Sequence, residues 1–458
     1  MSTVEEQRQI GKKYRKEETS RKELGMWEPV SGREEVVQLI RESEKGRIEE
    51  LLPLRHERMA VSPFTFFRGT ALLQAHDLAK MPGTPFSAQL CGDAHISNFG
   101  IFASPERRMV CDINDFDETL EAPFECDVKR LVASVEICGR DRGFSEAERE
   151  ETVGRCARVY RETMRQFSEM GNLDVWYTHL DIEELVRERE EQIDDRMKEN
   201  VKETLEKARR KNSGRALHKL TEEVDGKLRI KSDPPIVVPL RELVGEEKNL
   251  YDFKHNLREA IALYQQSLPL ERRGILDQYE PVELARKVVG VGSVGTRSWI
   301  LVMTGIGKED PLVLQIKEAG PSVLEQYYRK SPFPESGRRV VEGQRAIQTA
   351  GDILLGWMSF CTKEGIKGDY YVRQLWDAKG SFDLDTIRPE GLRKLSCMCA
   401  WILAHAHAKT GNRHMIAGYL GQGESFDRAM VRYARAYADQ NEADYEMFMK
   451  TIGSPEQG

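Results

Sequence analysis

The sequence has no run of about 18 consecutive apolar residues, which is the length that a membrane-spanning helix needs. Its N-terminus, MSTVEEQRQIGKKYRKEETSRKEL, has no apolar core after its charges, unlike a secretory signal. Basic residues are not in surplus, because 69 Lys and Arg stand against 76 Asp and Glu, for a net charge of -7. Proteins that bind a nucleic-acid backbone usually carry a basic excess. We therefore expect a cytoplasmic protein whose partner is neither nucleic acid nor membrane.

Paired cysteine motifs are also missing. The eight cysteines are scattered, without a Cys-x-x-Cys pair or a nearby His-x3-His, so the common zinc-site spacings are excluded. We expect reduced, mostly buried thiols without a chemical role. The remaining composition, 40% hydrophobic and 32% charged, is typical of a soluble globular protein, and 458 residues suggest two or three packed regions.

Changes of sequence pattern divide the chain into four segments. Residues 1–60 are highly charged with apolar positions three and four apart, which predicts a peripheral helical arm. Residues 61–280 are interpreted as a mostly helical large lobe. Residues 281–380, rich in β-branched residues with a glycine-rich turn, predict a small antiparallel β lobe, and residues 381–458 predict helices that complete the large lobe.

The segment GDAHISN contains the first candidate site. Asp93 and Asn98 lie five residues apart on a predicted loop that precedes a strand. In protein kinases an Asp on such a loop positions the acceptor hydroxyl, and an Asn five residues later holds Mg²⁺. His95 between them either orders the loop or approaches phosphate, with a purely structural histidine as the alternative.

An acidic cluster, residues 112–118, follows a predicted hairpin. Carboxylates this close together repel one another, and Mg²⁺ bound by one or two of them plus phosphate oxygens relieves that repulsion. A solvated acidic turn or a helix cap is the alternative interpretation.

A glycine-rich segment, GVGSVG, predicts the phosphate-binding half. Gly290, Gly292, Ser293 and Gly295 are followed by a strand pattern, whereas a dinucleotide-binding fingerprint requires a helix at that point. A glycine-rich hairpin that covers the phosphates of ATP is the kinase arrangement.

Lys317 comes 22 residues after Gly295, within an apolar strand. An inward lysine is costly unless it is paired. The kinase arrangement supplies the ATP phosphates and a glutamate of the next helix as partners. We predict Glu342 as that glutamate, with Glu325 as the fallback.

These motifs resemble known phosphotransferases. GDAHISN followed by DFD is similar to the motifs of the aminoglycoside and choline phosphotransferases, relatives of protein kinases. The resemblance implies that Asp93 is the catalytic base, Asn98 a metal ligand, and Asp127 a brace of the catalytic loop at a helix start. Asp115 matches the second metal ligand by its spacing to Asp127, while Asp112, directly after the apolar run, is its rival. One departure is Cys91, where such enzymes commonly carry His.

The motif order departs from that of kinases, because the glycine-rich turn and Lys317 follow the catalytic loop instead of preceding it. A circular permutation repairs this order: a strand at 370–375, a linker at 377–380 and a helix at 391–410 would lead back to the N-terminal half. The predicted fold is therefore α+β, a circularly permuted, protein-kinase-like two-lobe fold. Nearly the whole chain also resembles a family with the bacterial domain of unknown function 2252, which implies no reaction.

We expect an ATP- and Mg²⁺-dependent phosphotransferase that acts on a hydroxyl of a small molecule or a protein. Transfer of AMP and a catalytically silent nucleotide-binding module are the alternatives. Neither the acceptor nor the oligomeric state is indicated. Asp93, Asp115, Lys317 and the 290–295 turn should converge on one cleft. The arginines at 58, 68 and 373 are interpreted as partners of structural carboxylates that alternatively contact phosphate.

Overall fold

The computed structural model describes residues 2–29, 32–188, 195–210, 212–244, 247–307, 310–361, 367–375 and 378–451. The chain is α+β, and all strand pairs described are antiparallel. The helices are α1 (Val4–Glu17), α2 (Arg21–Leu24), α3 (Val36–Glu44), α4 (Leu52–Met59), α5 (Pro63–Gly69), α6 (Ala71–Leu78), α7 (Glu125–Asp141), α8 (Glu146–Phe167), α9 (Asn172–Tyr177), α10 (Ile182–Glu188), α11 (Asp195–Arg209), α12 (Ser213–Leu220), α13 (Leu240–Val244), α14 (Glu247–Ser267), α15 (Leu270–Leu276), α16 (Ser336–Ile347), α17 (Pro389–Thr410), α18 (Arg413–Leu420) and α19 (Ser425–Thr451). The strands are β1 (Ser87–Leu90), β2 (Phe99–Ala103), β3 (Met109–Ile113), β4 (Leu120–Pro123), β5 (Thr221–Val224), β6 (Lys227–Ile230), β7 (Val237–Pro239), β8 (Glu280–Lys287), β9 (Ser298–Thr304), β10 (Pro311–Glu318), β11 (Gly356–Cys361), β12 (Lys367–Gln374) and β13 (Gly380–Ser381). None of the described helices combines the length and the apolar character needed to cross a bilayer.

A six-stranded sheet carries Lys317. Its strand order is β11-β12-β10-β9-β8-β7, and Lys317 of β10 is paired with Ser298 of β9 and Tyr371 of β12. The predicted strands of the glycine-rich region are confirmed as β8, β9 and β10. Their β-branched and aliphatic residues, such as Val302 and Val313, are buried on this sheet. The central position of β10 gives the lysine a rigid support.

The loop of residues 92–98, which carries Asp93 and Asn98 and is called the acidic loop below, lies in a separate, largely helical core. Helices α7, α8, α17 and α19 pack against one another, and nearly every residue of α7 is buried. The hairpin of β2 and β3 joins this core, as predicted, and α7 begins at Glu125, close to the predicted helix start. Helix α16 links the two regions, because it contacts α17 as well as β11 and β12.

The N-terminal segment is helical as predicted, but it is not peripheral. Helix α1 lies so close to α18 that a methyl group on Gly11 would meet the carbonyl oxygen of Met415 at 2.1 Å, and one on Gly418 would meet that of Arg8 at 2.2 Å. Leu24 is fully buried in the helical core. Charge density suggested a solvated arm, whereas the few apolar and small residues determine the packing.

The predicted boundary at residue 280 is also corrected. Strand β7 pairs with β8, so the proline-containing segment SDPPIVVPL belongs to the sheet and not to the large lobe. Helix α14 packs on β11, and Tyr264 donates a hydrogen bond of 2.5 Å to the carbonyl oxygen of Leu354. The interpretation of residues 61–280 as mostly helical also missed the hairpin of β5 and β6, whose turn is formed by Asp225 and Gly226 with φ of 50° and 73°. An Asp-Gly pair with both φ values positive is a favoured two-residue hairpin turn.

The predicted linker at 377–380 lies partly outside the described residues. Its last residue, Gly380, begins β13, which pairs with β2 beside the acidic loop. The chain therefore returns from the sheet directly to the strand that follows Asn98.

Candidate functional site

The acidic loop begins at the end of β1 with a glycine that no other residue can replace without strain. Gly92 has a φ of 84°, and a methyl group on it would lie 2.0 Å from the carbonyl oxygen of Glu118. Positive φ is accessible to glycine at low cost. Gly92 thereby allows the loop to lie directly on the acidic cluster.

Asp127 holds this loop from the first turn of α7. Its two carboxylate oxygens accept hydrogen bonds from the backbone N–H groups of Cys91 (2.9 Å) and Gly92 (3.0 Å). The side chain is completely buried, and Nε2 of His407 lies 3.5 Å from it. This geometry is the bracing arrangement that the phosphotransferase resemblance implies. Both carboxylate oxygens of Asp127 are therefore occupied by the loop in this structure.

Asp93 is held by an arginine. Its Oδ1 accepts a hydrogen bond of 2.7 Å from Nε of Arg130, whose remaining nitrogens donate to Gln74 and to the carbonyl oxygen of Phe67. Burial opposes the negative charge, but Arg130 and His95 outweigh it and lower the pKa of Asp93. Asp93 is therefore an ionised acceptor of hydrogen bonds at neutral pH.

His95 lies on the same loop and is neutral. Its Nε2 is 3.6 Å from Oδ2 of Asp93. Burial lowers the pKa of His95 to about 4, against the opposing effect of Asp93. Its buried Nδ1 has no hydrogen-bond partner among the described residues. The imidazole is thus a weakly held side chain beside the carboxylate.

Asn98 joins the loop to the acidic cluster. Its Nδ2 donates to the backbone carbonyl oxygens of Asp93 (3.1 Å) and Asp115 (3.0 Å). Because the amide nitrogen is occupied by these two carbonyls, the amide oxygen is the atom of Asn98 that is suited to a hard cation. The spacing of Asp93 and Asn98 thus produces a closed loop.

Lys317 reaches the acidic cluster from the sheet. Its Nζ lies 2.6 Å from Oδ2 of Asp117 and 3.5 Å from Oδ1 of Asp115. Burial opposes the ammonium charge, but the two carboxylates outweigh it and raise the pKa of Lys317. Lys317 and Arg373 in turn lower the pKa of Asp115 against the effect of burial. The sequence predicted that Lys317 and Asp115 converge together with Asp93 and the 290–295 turn, and the contact of Lys317 with Asp115 confirms this part of the prediction.

The predicted glutamate partner of Lys317 is wrong. Glu342 lies on a partly exposed position of α16 and pairs with Arg345 at 3.4 Å. The fallback, Glu325, lies 3.7 Å from Arg339 and accepts a hydrogen bond from the backbone of Ser322. The carboxylates of the acidic cluster already neutralise Lys317, so no glutamate is needed.

Sequence reasoning therefore missed Asp117 and Tyr371. Asp117 accepts hydrogen bonds from Lys317 and, at 2.6 Å, from the hydroxyl group of Tyr371. The DFD motif contained a usable signal, because Asp115 and Asp117 lie two residues apart. Tyr371 offered no signal of its own, since its strand looked like ordinary sheet.

Asp112 is separated from this group by its own hydrogen bonds. Its Oδ2 accepts from the backbone N–H (3.0 Å) and the hydroxyl group (3.1 Å) of Thr349, and its Oδ1 accepts from the N–H of Ile113 (2.8 Å). Burial raises its pKa. Of the two candidates for the second metal ligand, Asp115 contacts Lys317, whereas Asp112 is hydrogen-bonded to Thr349 in the segment after α16.

The 290–295 turn joins β8 to β9 and is held by the N-terminal segment. Ser293 donates to the carbonyl oxygen of Val289 at 3.1 Å, and the amide nitrogens of Gly292 and Ser293 donate to no carbonyl of the described residues. Three residues of the N-terminal segment donate to carbonyl oxygens of the turn. Nη1 of Arg47 donates to Gly292 (2.7 Å) and Val294 (2.6 Å). Nη1 of Arg58 donates to Gly290 (2.5 Å), and the N–H of Ile48 donates to Gly295 (2.7 Å). Amide nitrogens left without acceptors in a glycine-rich turn are suited to bind an anion.

The three arginines singled out in the sequence differ in their contacts. Arg58 binds the glycine-rich turn, and Arg373 donates to the carbonyl oxygen of Asn114 (2.8 Å) and to Gln315 (3.2 Å). Neither contacts a carboxylate directly in the described parts of the chain, so the expected structural ion pairs are not formed there. Arg68 makes no hydrogen bond to any described residue through its buried Nε.

Lys379 is a further basic residue that the sequence analysis did not consider. Burial and the nearby charge of Arg373 lower its pKa to about 7, while Asp352 and Asp115 oppose this shift. Lys379 directly precedes β13, which pairs with β2.

The residues present fit a magnesium ion that is shared with a phosphate ligand. Among the described residues, no group of three or more His, Cys, Asp and Glu side chains is arranged to hold a metal alone. Asp115 has a partly exposed carboxylate, and the amide group of Asn98 is hydrogen-bonded to the backbone carbonyl oxygen of the same residue, which leaves the amide oxygen available to a cation. Mg²⁺ is usually bound by one or two protein oxygens plus substrate phosphates.

Comparison with known proteins defines the family. A family model described as "Uncharacterized protein conserved in bacteria (DUF2252)" matches residues 47–451. No curated protein and no solved structure matches the chain. The match begins at Arg47, which holds the glycine-rich turn, and extends to the end of α19. It therefore includes every residue of the candidate site, and the chain belongs to the DUF2252 family of bacterial proteins.

Proposed function

We propose that this protein is an ATP- and Mg²⁺-dependent phosphotransferase that acts on a hydroxyl group. The observation that carries the proposal is the contact of Lys317 with Asp115 and Asp117, at 3.5 Å and 2.6 Å, across about 200 residues of sequence. A buried lysine at the junction of a sheet and an acidic loop is the arrangement by which kinases hold nucleotide phosphates and their metal ion.

In this proposal the nucleotide lies between the sheet and the acidic loop. The free amide nitrogens of the 290–295 turn and the ammonium group of Lys317 bind its phosphates. Asp115 and the amide oxygen of Asn98 would hold Mg²⁺, which would neutralise part of the phosphate charge. Binding of the nucleotide exchanges part of the Lys317 contact with Asp117 for a contact with phosphate.

Asp93 accepts the hydrogen bond of the acceptor hydroxyl. Its low pKa, caused by Arg130 and His95 against the effect of burial, makes it a weak base. Its main contribution is therefore orientation of the hydroxyl oxygen toward the terminal phosphate, with the proton transferred late. Asp127 keeps this geometry by binding the N–H groups of Cys91 and Gly92.

We further propose that the chain is a circular permutation of the two-lobe kinase fold. Three features support this proposal. The catalytic loop precedes the glycine-rich turn in sequence, the 290–295 turn lies between adjacent antiparallel strands, and β13 leads from the sheet back to β2. The cut would lie between α17 and β1, which are in contact.

Incubation with γ-labelled ATP, Mg²⁺ and an extract of small metabolites and proteins tests the activity. We expect label transfer that is lost with EDTA and in Lys317→Met. Tight ATP binding by the wild type without transfer to any acceptor or to water would favour the silent module. Transfer from α-labelled but not γ-labelled ATP would favour adenylyl transfer.

A further inference from the structure

The basic side chains around the acidic loop are mostly occupied by protein groups. Lys317 contacts two carboxylates, and Arg373 donates to Asn114 and Gln315. Arg130 uses Nε, Nη1 and Nη2 on Asp93, Gln74 and Phe67. Lys317, Arg373 and Arg130 therefore each use hydrogen-bond donors on protein groups, which reduces the number available to an anionic ligand.

Arg68 differs from them. It lies at the end of α5 and is half-buried, and its Nε is completely buried without a hydrogen-bond partner. In the part of the chain that the structure describes, its guanidinium group has neither a hydrogen bond nor an ion pair. A buried Nε without a partner is destabilising, so an unsatisfied donor of this kind is a candidate for contact with a ligand, an ion or a bound water.

Arg68 lies between the two halves of the candidate site, which are the glycine-rich turn and the loop that carries Asp93. A methyl group built on Gly292 of the glycine-rich turn would lie 3.3 Å from the carbonyl oxygen of Arg68. The preceding residue, Phe67, holds Arg130 through its carbonyl oxygen (2.7 Å), and its ring stacks on the guanidinium group of Arg130 at 3.7 Å. Arg130 in turn binds Asp93 at 2.7 Å.

The electrostatic effect of Arg68 agrees with this position. Its charge adds to that of Arg130 in lowering the pKa of Asp93, and after burial and Asp93 it is the next influence on the pKa of His95. The acidic groups that influence Arg68 itself are Asp93 and the exposed Asp385. The guanidinium group thus lies close enough to Asp93, on the loop that positions the acceptor in the proposed function, for the two charges to interact.

We propose that Arg68 binds a phosphoryl group in the space between the glycine-rich turn and Asp93. The proposal rests on the phosphotransferase function given above and identifies a further residue of the same site. Guanidinium groups bind phosphate oxygens with two parallel hydrogen bonds and remain charged at all physiological pH values. The phosphoryl group comes from the terminal phosphate of the nucleotide or from a phosphate on the acceptor.

Calorimetric titration of four proteins tests the proposal. They are the wild type, Arg68→Met, Arg68→Lys and, as a control, Arg428→Met, which alters an exposed arginine paired with Glu424. Each is titrated with Mg·ADP, with Mg and the non-hydrolysable ATP analogue AMP-PNP, and with inorganic phosphate after saturation with Mg·ADP. Thermal unfolding of each variant shows whether it is folded.

Loss of about tenfold or more in AMP-PNP affinity in Arg68→Met, with ADP affinity unchanged, identifies the terminal phosphate of the nucleotide. Loss of phosphate binding to the ADP-loaded protein alone identifies a phosphate of the acceptor. Arg68→Lys should retain part of the affinity in either case. Equal affinities of wild type and Arg68→Met for all three ligands would overturn the proposal.

Failure of the proposed function has a different signature. A wild type that binds neither nucleotide would contradict the phosphotransferase. Inorganic phosphate titrated into the ligand-free proteins then decides the role of Arg68 separately, since a phosphoryl site would still be weakened by Arg68→Met. If Arg68→Met is unfolded, the comparison of Arg68→Lys with Arg428→Met decides in its place.

Discussion

Nζ of Lys317 lies 2.6 Å from Oδ2 of Asp117, although the two residues are 200 positions apart. Tyr371 donates to the other carboxylate oxygen of Asp117, also at 2.6 Å, so the aspartate is held by two residues of neighbouring strands. The pair joins the central sheet to the acidic cluster of residues 112–118. A ligand that binds between the sheet and the cluster must compete with this ion pair. This competition underlies the first prediction.

Lys317→Met should reduce phosphotransfer by roughly a hundredfold or more, because it removes a fixed positive charge from the developing phosphoryl charge. It also leaves Asp115 and Asp117 without their cation, so thermal unfolding is measured in parallel. Lys287→Met is the matched control, since Lys287 is a half-buried lysine of β8 in the same sheet. Wild-type activity in Lys317→Met would remove the main support for the proposed function.

Asp127→Asn should lower the free energy of unfolding by about 2 kcal/mol, because the backbone N–H groups of Cys91 and Gly92 lose a charged acceptor. An asparagine has one oxygen for these two donors. Denaturant unfolding measures the change, with Asp439→Asn as the control for an exposed aspartate in a surface ion pair. Equal stabilities of the two variants would contradict a bracing role for Asp127.

The protein should become less stable as the pH rises from about 4.5 to about 7, because Glu118 loses its proton in the unfolded chain at a lower pH than in the folded protein. Burial raises its pKa to about 7 from 4.5, against the opposing effect of the Val323 N–H group. A raised pKa in the folded state contributes stability below the unfolded value, and this contribution is lost as the pH rises through the folded value. The loss is at most about 3 kcal/mol.

Glu118→Gln isolates this effect, since its amide oxygen can still accept the hydrogen bond from Val323. The difference in unfolding free energy between the variant and the wild type should change in favour of the variant between pH 4.5 and 8. A difference that is constant over this range would show that Glu118 does not titrate there.

Gly11→Ala should destabilise the protein by several kcal/mol, because its methyl group would lie 2.1 Å from the carbonyl oxygen of Met415 and separate α1 from α18. Gly274→Ala, in α15, is the control: no atom lies within 4 Å of the added group, and alanine favours helix by about 1 kcal/mol. Urea unfolding of both compares them. Wild-type stability of Gly11→Ala would contradict the close packing of α1 on α18 and favour the peripheral arm that the sequence suggested.

The sequence by itself determined the local parts of this protein. The spacing of Asp93 and Asn98 defines a loop that closes through its own backbone, and the pattern around Gly290 to Gly295 defines a turn between strands. Both features depend on interactions among neighbouring residues. Asp127 was recognised through the resemblance to the phosphotransferases, because its bracing contacts with Cys91 and Gly92 span 36 and 35 positions of sequence.

Only the tertiary structure decided which distant groups meet. It paired Lys317 with Asp117 instead of Glu342, gave Asp112 to Thr349, and packed Gly11 against α18. It also left Arg68 without a hydrogen-bond or ion-pair partner among the described residues, while it bound Arg58 and Arg373 to backbone carbonyl oxygens. The physical reason is that the side-chain types in these pairs are interchangeable in sequence, whereas the direction and distance of each charge depend on how the sheet and the helices pack.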